Sequence, residues 1–234
     1  MTAGCTVKLC GTTSRKDAEL AARAGADWFG VVVEVGFSPR SLSLEAARPL
    51  FHDPPIPAVA LVFEMAEPRV RDLMAELNPC AVQFLSQEDP NLLRRLKDDF
   101  PGVQLWQSIH LPPAGVAVSR EEVMASVRSY IDAGADLLLF DTAATVDGRK
   151  KYGGTGMIAD WQVIRETLDQ IRGEVPVLLA GGIAPDNVAA AIEAVAPDGI
   201  DLCSGVEAQP GLRDPLKVAA LMRAVRSDRG QIIS

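Results

Sequence analysis

Short apolar runs alternate with longer amphipathic stretches along the whole chain. The runs are rich in Val, Leu, Ile and Ala and lack the in–out alternation of a half-exposed strand, so they read as strands buried on both faces. Eight stand out: Thr6–Cys10, Trp28–Val33, Ala58–Val62, Ala81–Phe84, Gln104–Ile109, Leu137–Asp141, Val177–Ala180 and Ile200–Cys203. Helical patterns lie between them. Arg15–Ala24 mixes acidic and basic residues and stops at Gly25, a favoured residue just past a helix end. Pro68–Leu77 opens with Pro in its first turn and stops before Pro79. Ser119–Ala133 opens with Ser119, Arg120, Glu121 and Glu122, a capping-box pattern, and stops at Gly134. Asp186–Val195 and Pro215–Val225 are each entered through Pro and Asp.

Gly25-Ala26-Asp27, Gly134-Ala135-Asp136 and Pro197-Asp198-Gly199 lead from a helix straight into a strand, the turn of a βαβ unit. Eight strands in such units, with right-handed crossovers, predict a parallel sheet closed as a single (β/α)₈ TIM barrel, class α/β, in one domain over residues 1–234. A doubly wound open sheet is the structural rival. It is weakened by the lack of a Gly-rich G-x-G-x-x-G turn after the first strand. No linker or low-complexity tract divides the chain, and the residues from about Arg229 onward are expected to fray.

Composition narrows the function classes. Of 234 residues 48% are hydrophobic, enough for a large core, and the net charge is −8. An acidic chain without a Lys/Arg cluster argues against nucleic-acid binding. No stretch is long and apolar enough to span a bilayer, and no signal peptide is visible. Cys5, Cys10, Cys80 and Cys203 match no zinc or CxxC spacing, so the expectation is a cytoplasmic protein with unbridged thiols and no metal or other cofactor. An anionic ligand would need a local site of backbone N–H groups or a few placed cations.

In such a barrel the site lies at the C-terminal ends of the strands, and phosphate often binds at the loops after strands seven and eight. Those loops carry Gly181-Gly182 and Ser204-Gly205. Glycine lets backbone amides approach an anion closely. Two such turns in the two expected loops favour a small phosphorylated ligand over mere tight turning. The long segment after Asp141 contains Asp147, Arg149, Lys150, Lys151 and then Gly153-Gly154-Thr155-Gly156. It reads as a lid over the ligand, with a plain surface loop as the alternative.

Cys10 ends the first strand, and Lys8, two residues earlier, faces the same way, so a cation beside the thiol would favour the thiolate. For an arbitrary cysteine a small buried hydrophobe is the commoner role, and that is the one expected for Cys5, Cys80 and Cys203. Asp141 closes the apolar run Leu137–Phe140, where partial burial would raise its pKa. Its plainer role is to cap the next loop. Cys10 and Asp141 stand on strands one and six, which are not neighbours, and could flank a ligand as base and acid. Arg40, in Ser38-Pro39-Arg40 after strand two, has a fork suited to carboxylate or phosphate. His110 could reach the mouth from strand five, though a structural role is as plausible, and His52 has no partner visible in sequence.

These residues together resemble the phosphoribosylanthranilate isomerase family of tryptophan biosynthesis. Lys8-Leu9-Cys10-Gly11 looks like the family's K-[IV]-C-G, Ser38-Pro39-Arg40 its S-P-R, Asp141 its strand-six aspartate and Gly153–Gly156 its G-G-T-G. Leu179-Ala180-Gly181-Gly182-Ile183, with Pro185 and Asn187, is similar to L-A-G-G-L-x-P-x-N, and Asp201–Glu207 with Pro210, Gly211 and Lys217 to D-x-S-S-G-V-E-x-x-P-G-x-K-D. The chain departs from it at Gln83-Phe84-Leu85-Ser86, where Q-L-H-G is usual, at Gly11-Thr12-Thr13-Ser14 for G-I-T-R, at Cys203 for serine, and at Trp106-Gln107-Ser108 for a segment with lysine.

The resemblance implies a cofactor-free Amadori rearrangement of N-(5-phosphoribosyl)anthranilate to its 1-deoxyribulose isomer, by a monomer or homodimer. It casts Asp141 as general acid, Cys10 as general base and Arg40 as the anthranilate-carboxylate ligand. Gly181, Gly182, Ser204 and Gly205 would hold the phosphate, with Gly154, Thr155 and Gly156 over the substrate. Two rivals remain: an isomerase or lyase of another small sugar phosphate, and a non-catalytic phosphate-ligand-binding paralogue.

Overall fold

The computed structural model describes residues 4–146, 149–152 and 158–228, with backbone alone for 144–146, 149–152, 227 and 228. In chain order the strands are β1 Thr6–Leu9, β2 Trp28–Val32, β3 Ala58–Val62, β4 Ala81–Phe84, β5 Gln104–Leu111, β6 Leu137–Val146, β7 Arg149–Tyr152, β8 Val177–Leu179, β9 Gly199–Leu202, β10 Glu207–Gln209 and β11 Leu212–Arg213. The helices are α1 Arg15–Ala24, α2 Leu44–Phe51, α3 Glu67–Leu77, α4 Pro90–Asp99, α5 Arg120–Asp132, α6 Trp161–Ile171, α7 Val188–Val195 and α8 Pro215–Asp228.

The parallel ladder runs β1-β2-β3-β4-β5-β6-β8-β9 and returns to β1, which closes the eight-stranded barrel expected from the apolar pattern. Its seventh and eighth strands are therefore β8 and β9. Helix ends follow the local chemistry. Ser14 accepts from the Asp17 amide at 3.2 Å and Ser119 from the Glu122 amide at 3.2 Å, which satisfies N–H groups that α1 and α5 leave open. Gly25, at φ +84°, turns α1 into β2, and its amide bonds back to the helix. The apolar pattern does not single out α2 or α4, the first carrying an internal Pro49 and the second a largely charged surface.

Apolar side chains sort into two sets. The larger fills the layer between strands and helices and includes Leu9, Phe29, Ala60, Val82, Leu105, Leu138, Phe140 and Leu179. The smaller lines the barrel interior and includes Cys10, Val32, Val59, Leu61, Trp106, Leu139 and Leu178. Alternate residues of each strand thus divide between inside and outside. Trp28 meets Trp106 edge to face, with ring centroids 5.3 Å apart, in the interior set.

One expectation changes. The sixth strand does not stop at Asp141; it runs to Val146 and pairs antiparallel with β7, Ala143 opposite Tyr152 and Val146 opposite Arg149. Part of the segment expected as a lid loop is thus a hairpin arm. Thr142 and the residues beyond it extend the ladder by backbone bonding, which an apolar-run criterion does not register.

Candidate active site

The mouth of the barrel is built on the inward-facing ends of β1, β5, β6, β8 and β9. Lys8 and Asp201 are register partners, and both side chains are buried. Their ion pair spans 2.9 Å. One step further along the same face stand Cys10 and Cys203. The Cys10 amide donates to the Leu202 carbonyl at 2.7 Å, which carries the β1–β9 pairing to this level.

Buried Arg213 holds the loop after β1 from the other side. Its Nη2 donates to the Cys10 carbonyl and to Thr12 Oγ1, each at 2.8 Å. Its backbone amide donates to Asp17 Oδ2 at 3.2 Å. Position 30, opposite on β2, has no side chain. A Cβ there would lie 3.1 Å from Cys10 Sγ and 3.2 Å from Lys8 Cε, so the glycine leaves room for both.

The charges around Cys10 favour its thiolate. A hydrogen bond from the Cys203 thiol, against the opposing effect of burial, and the nearby Lys8 and Arg213 cations bring Cys10 below its ordinary thiol value. Donating that bond, together with burial, holds Cys203 well above its own. Burial works against the Lys8 ammonium, but Asp201 and Cys10 outweigh it and keep the cation charged.

Asp141 stands on β6, separated from β1 by β8 and β9 on one side of the ring. Burial pushes its carboxyl up to about 7, although the Thr142 amide donates to Oδ1 at 2.6 Å and pulls the other way. Asp201 and Lys8 act on it too, with opposite signs. The structure therefore brings a thiol biased toward thiolate and a carboxyl biased toward its acid to the same end of the barrel. His110 lies opposite Asp141 in the β5–β6 register, and its Nε2 is 2.6 Å from the Leu85 carbonyl oxygen. His52 caps the C-terminus of α2 and is exposed, away from the mouth.

Arg40 reaches the mouth with its fork engaged by Glu207, Nε to Oε1 at 2.8 Å and Nη2 to Oε2 at 2.5 Å. Glu207 in turn accepts from the Gly211 amide at 3.0 Å, and its carbonyl accepts from Lys217 Nζ at 2.8 Å. Arg40 is thus fixed in direction, and only part of its donor set is committed to Glu207.

The two glycine turns lie together. Gly181 and Gly182 follow β8 with φ of +80° and +66°, a left-handed conformation costly for other residues. Asn187 clamps this turn, its Nδ2 donating to the Gly182 carbonyl and its Oδ1 accepting from the Ala184 amide, both at 2.9 Å. Ser204 and Gly205 form a single 3₁₀ turn after β9. A Cβ on Gly205 would collide with the Ile183 carbonyl oxygen, so the two loops touch backbone to backbone. Gly154, Thr155 and Gly156 lie outside the described residues. Among the described residues no group of three His, Cys, Asp or Glu side chains is placed to hold a metal ion, and no helix is long and apolar enough to cross a membrane.

Nothing local in the sequence marks Asp201, Glu207 or Arg213 singly as site residues, and Cys203 is expected there only to pack. Period-two alternation in the last strand, through Asp201 and Cys203, is the signal that could have found two of them.

Comparison with known proteins gives concordant results. Residues 7–224 match the family model described as N-(5'-phosphoribosyl)anthranilate (PRA) isomerase. An N-(5'-phosphoribosyl)anthranilate isomerase of Methanocella arvoryzae is 38% identical over 222 residues, covering 94% of this chain and 97% of that one. The solved N-(5'-phosphoribosyl)anthranilate isomerase of Pyrococcus furiosus superposes with a TM-score of 0.78 at 27% identity, over 95% of this chain and 99% of that one. A phosphoribosyl anthranilate isomerase solved in complex with reduced 1-(o-carboxyphenylamino)-1-deoxyribulose 5-phosphate superposes with a TM-score of 0.74 at 25% identity, over 95% and 99% of the two chains.

Proposed function

The chain belongs to the N-(5'-phosphoribosyl)anthranilate isomerase family, and from that premise we propose that Cys10 and Asp141 divide the proton transfers of the reaction between them. The protein is an isomerase of tryptophan biosynthesis. It converts N-(5-phosphoribosyl)anthranilate to 1-(o-carboxyphenylamino)-1-deoxyribulose 5-phosphate. No electrons leave or enter the substrate; protons move and the ribose ring opens.

Asp141 gives its proton to the ring oxygen of the ribose. The C1–O bond breaks, and the anilino nitrogen supplies the electron pair that makes the C1 iminium. Cys10 thiolate then removes the C2 proton, and the electrons of that bond neutralise the iminium as an enolamine. Reprotonation at C1 and loss of the hydroxyl proton at C2 yield the ketone. The observation that supports this division is the opposed bias of the two groups: burial keeps Asp141 protonated up to about 7, while the Cys203 thiol and the nearby cations draw Cys10 toward thiolate.

Binding follows from the remaining groups. Amides of the Gly181-Gly182 and Ser204-Gly205 turns hold the phosphate, where backbone donors can approach closely. Arg40, steadied by Glu207, offers its uncommitted donors to the anthranilate carboxylate. Gly154, Thr155 and Gly156 are assigned to substrate contact through the family motif alone. Such an enzyme works in the cytoplasm, where its thiols stay reduced.

Turnover of freshly generated phosphoribosylanthranilate tests the assignment, followed by loss of anthranilate-type fluorescence and by identification of the deoxyribulose product. Product from the wild type and its loss in Cys10→Ala support the isomerase and its base. Near-normal turnover in Cys10→Ala removes the base.

A further inference from the structure

We propose that Cys10 and Cys203, just past the ends of β1 and β9, form a dithiol modification site, which a peroxide oxidises to an intramolecular disulfide and a thiol reductant reopens. The first ground is register. Lys8 pairs with Asp201 and Leu9 with Leu202, and the Cys10 amide bonds the Leu202 carbonyl, so Cys10 and Cys203 are the residues that directly follow where β1 and β9 end side by side. Neighbouring strands run about 4.8 Å apart, inside the roughly 4.4–6.8 Å α-carbon window of a disulfide.

The second ground is side-chain direction. Cys10 belongs to the barrel's interior cluster and Cys203 packs against it; the Cys203 thiol also donates to Glu207 Oε1 at 4.0 Å, and the two thiols act on each other's ionisation. A Cβ on Gly11 would stand 2.7 Å from Cys203 Sγ, so the absent side chain at that position leaves room for the sulfur beside the Cys10 loop. All four cysteines of the chain are unbridged thiols in the structure.

The surroundings supply reactivity. Thiolates, rather than thiols, react with peroxides, and nearby cations favour them. Lys8, Arg40 and Arg213 act on this pair. Cys80 is held by burial up to about 11 and stays a thiol. The chemistry balances with hydrogen peroxide as oxidant. Cys10 thiolate attacks one peroxide oxygen, the O–O bond breaks, and the departing hydroxide takes a proton to leave as water. Cys203 sulfur then attacks the Cys10 sulfenic sulfur. The S–S bond forms, the S–O bond breaks, and hydroxide leaves with the Cys203 proton as a second water. Two thiols are oxidised and one peroxide is reduced.

The disulfide removes the lone pair that takes the C2 proton, so loss of turnover rests on the reading of Cys10 as base, whereas formation of the bond does not. The test treats reduced enzyme with hydrogen peroxide, blocks remaining thiols with an alkylating reagent and maps the peptides by mass spectrometry. Activity is followed in parallel, as a fraction of each protein's own reduced rate.

The expected result is a linked Cys10–Cys203 peptide lighter by two hydrogens, alkylated Cys5 and Cys80, and turnover that falls and is restored by dithiothreitol. In Cys203→Ser no link forms, Cys10 gains oxygen instead, and longer exposure takes it beyond what dithiothreitol reverses. Oxygen added to wild-type Cys10 without a link would overturn the proposal, as would equal recoverability of wild type and Cys203→Ser. A linked peptide with turnover intact would leave the dithiol site standing and remove Cys10 from the base role.

Discussion

Lys8 and Asp201 form a buried ion pair, Nζ to Oδ2 at 2.9 Å, two residues before Cys10 and Cys203, which follow the ends of the same two strands. The pair closes the barrel between its first and last strands and places a cation where the thiolate needs one. Removing one partner of a buried pair strands the other, at a cost of about 3–5 kcal/mol. Lys8→Met is expected to lower stability by that order, read from denaturant midpoints, and Lys8→Met/Asp201→Leu to recover most of it. Lys8→Met would also leave an unpaired carboxylate near Cys10, which raises its pKa and moves the acid limb of the turnover profile to higher pH.

Turnover is expected to be bell-shaped in pH. It rises with pH as Cys10 ionises, since the base works as thiolate, and falls as pH passes about 7 and Asp141 loses the proton it must give. Asp141→Asn should remove the alkaline limb from whatever activity remains. A stability effect of the same group has a definite sign. The unfolded chain releases the Asp141 proton near about 4, the folded chain only near about 7. Native protein therefore binds more protons between those values, and this group's contribution to stability falls as pH rises through that window. Asp141→Asn should flatten that part of the stability curve, measured by urea titration at several pH values.

Cys10→Ala and Asp141→Asn should each reduce kcat by about 10²-fold or more, the usual scale for a general base or acid, while affinity for a product analogue changes little. Single-turnover rates and equilibrium binding of the two variants separate these effects. Near-normal kcat in either variant would end that residue's assignment.

How much of this was legible in the sequence depended on how local the signal was. β3 and β4 have the bounds expected, Ala58–Val62 and Ala81–Phe84, because unbroken apolar burial defines them. β5 and β6 run past the expected ends to Leu111 and Val146, because at the mouth polar residues such as His110 and Thr142 continue the ladder through backbone bonds. Cys10, Asp141, Arg40 and the glycine turns were found because each sits at a strand end or in a motif. Of the partners that fix them, Lys8 shows in its two-residue spacing from Cys10, but Asp201 and Glu207 do not. Lys8 and Asp201 are 193 residues apart and Arg40 and Glu207 are 167 apart, and only closure of the barrel brings them together. Arg213 carries no local mark at all, since its role arises from the return of β11 over the loop after β1.

Gly205 offers a test of the phosphate site that leaves the acid and base untouched. Its α-carbon lies where the loop after β9 meets the loop after β8, and a Cβ there would collide with the Ile183 carbonyl oxygen. A backbone atom cannot swing aside as a flexible side chain can, so Gly205→Ala must push the two loops apart. The amides of Ser204-Gly205 and Gly181-Gly182 would then no longer converge on one anion. KM should rise by about 10-fold, the scale of one hydrogen bond to a charged group, and inhibition by inorganic phosphate should weaken in parallel. The kcat should fall far less than in Cys10→Ala, because Cys10 keeps its place at the end of β1 and Asp141 its place on β6. If phosphate inhibition were unchanged while KM rose, the anion would have to be held elsewhere, and the pairing of these two loops would be a packing contact alone.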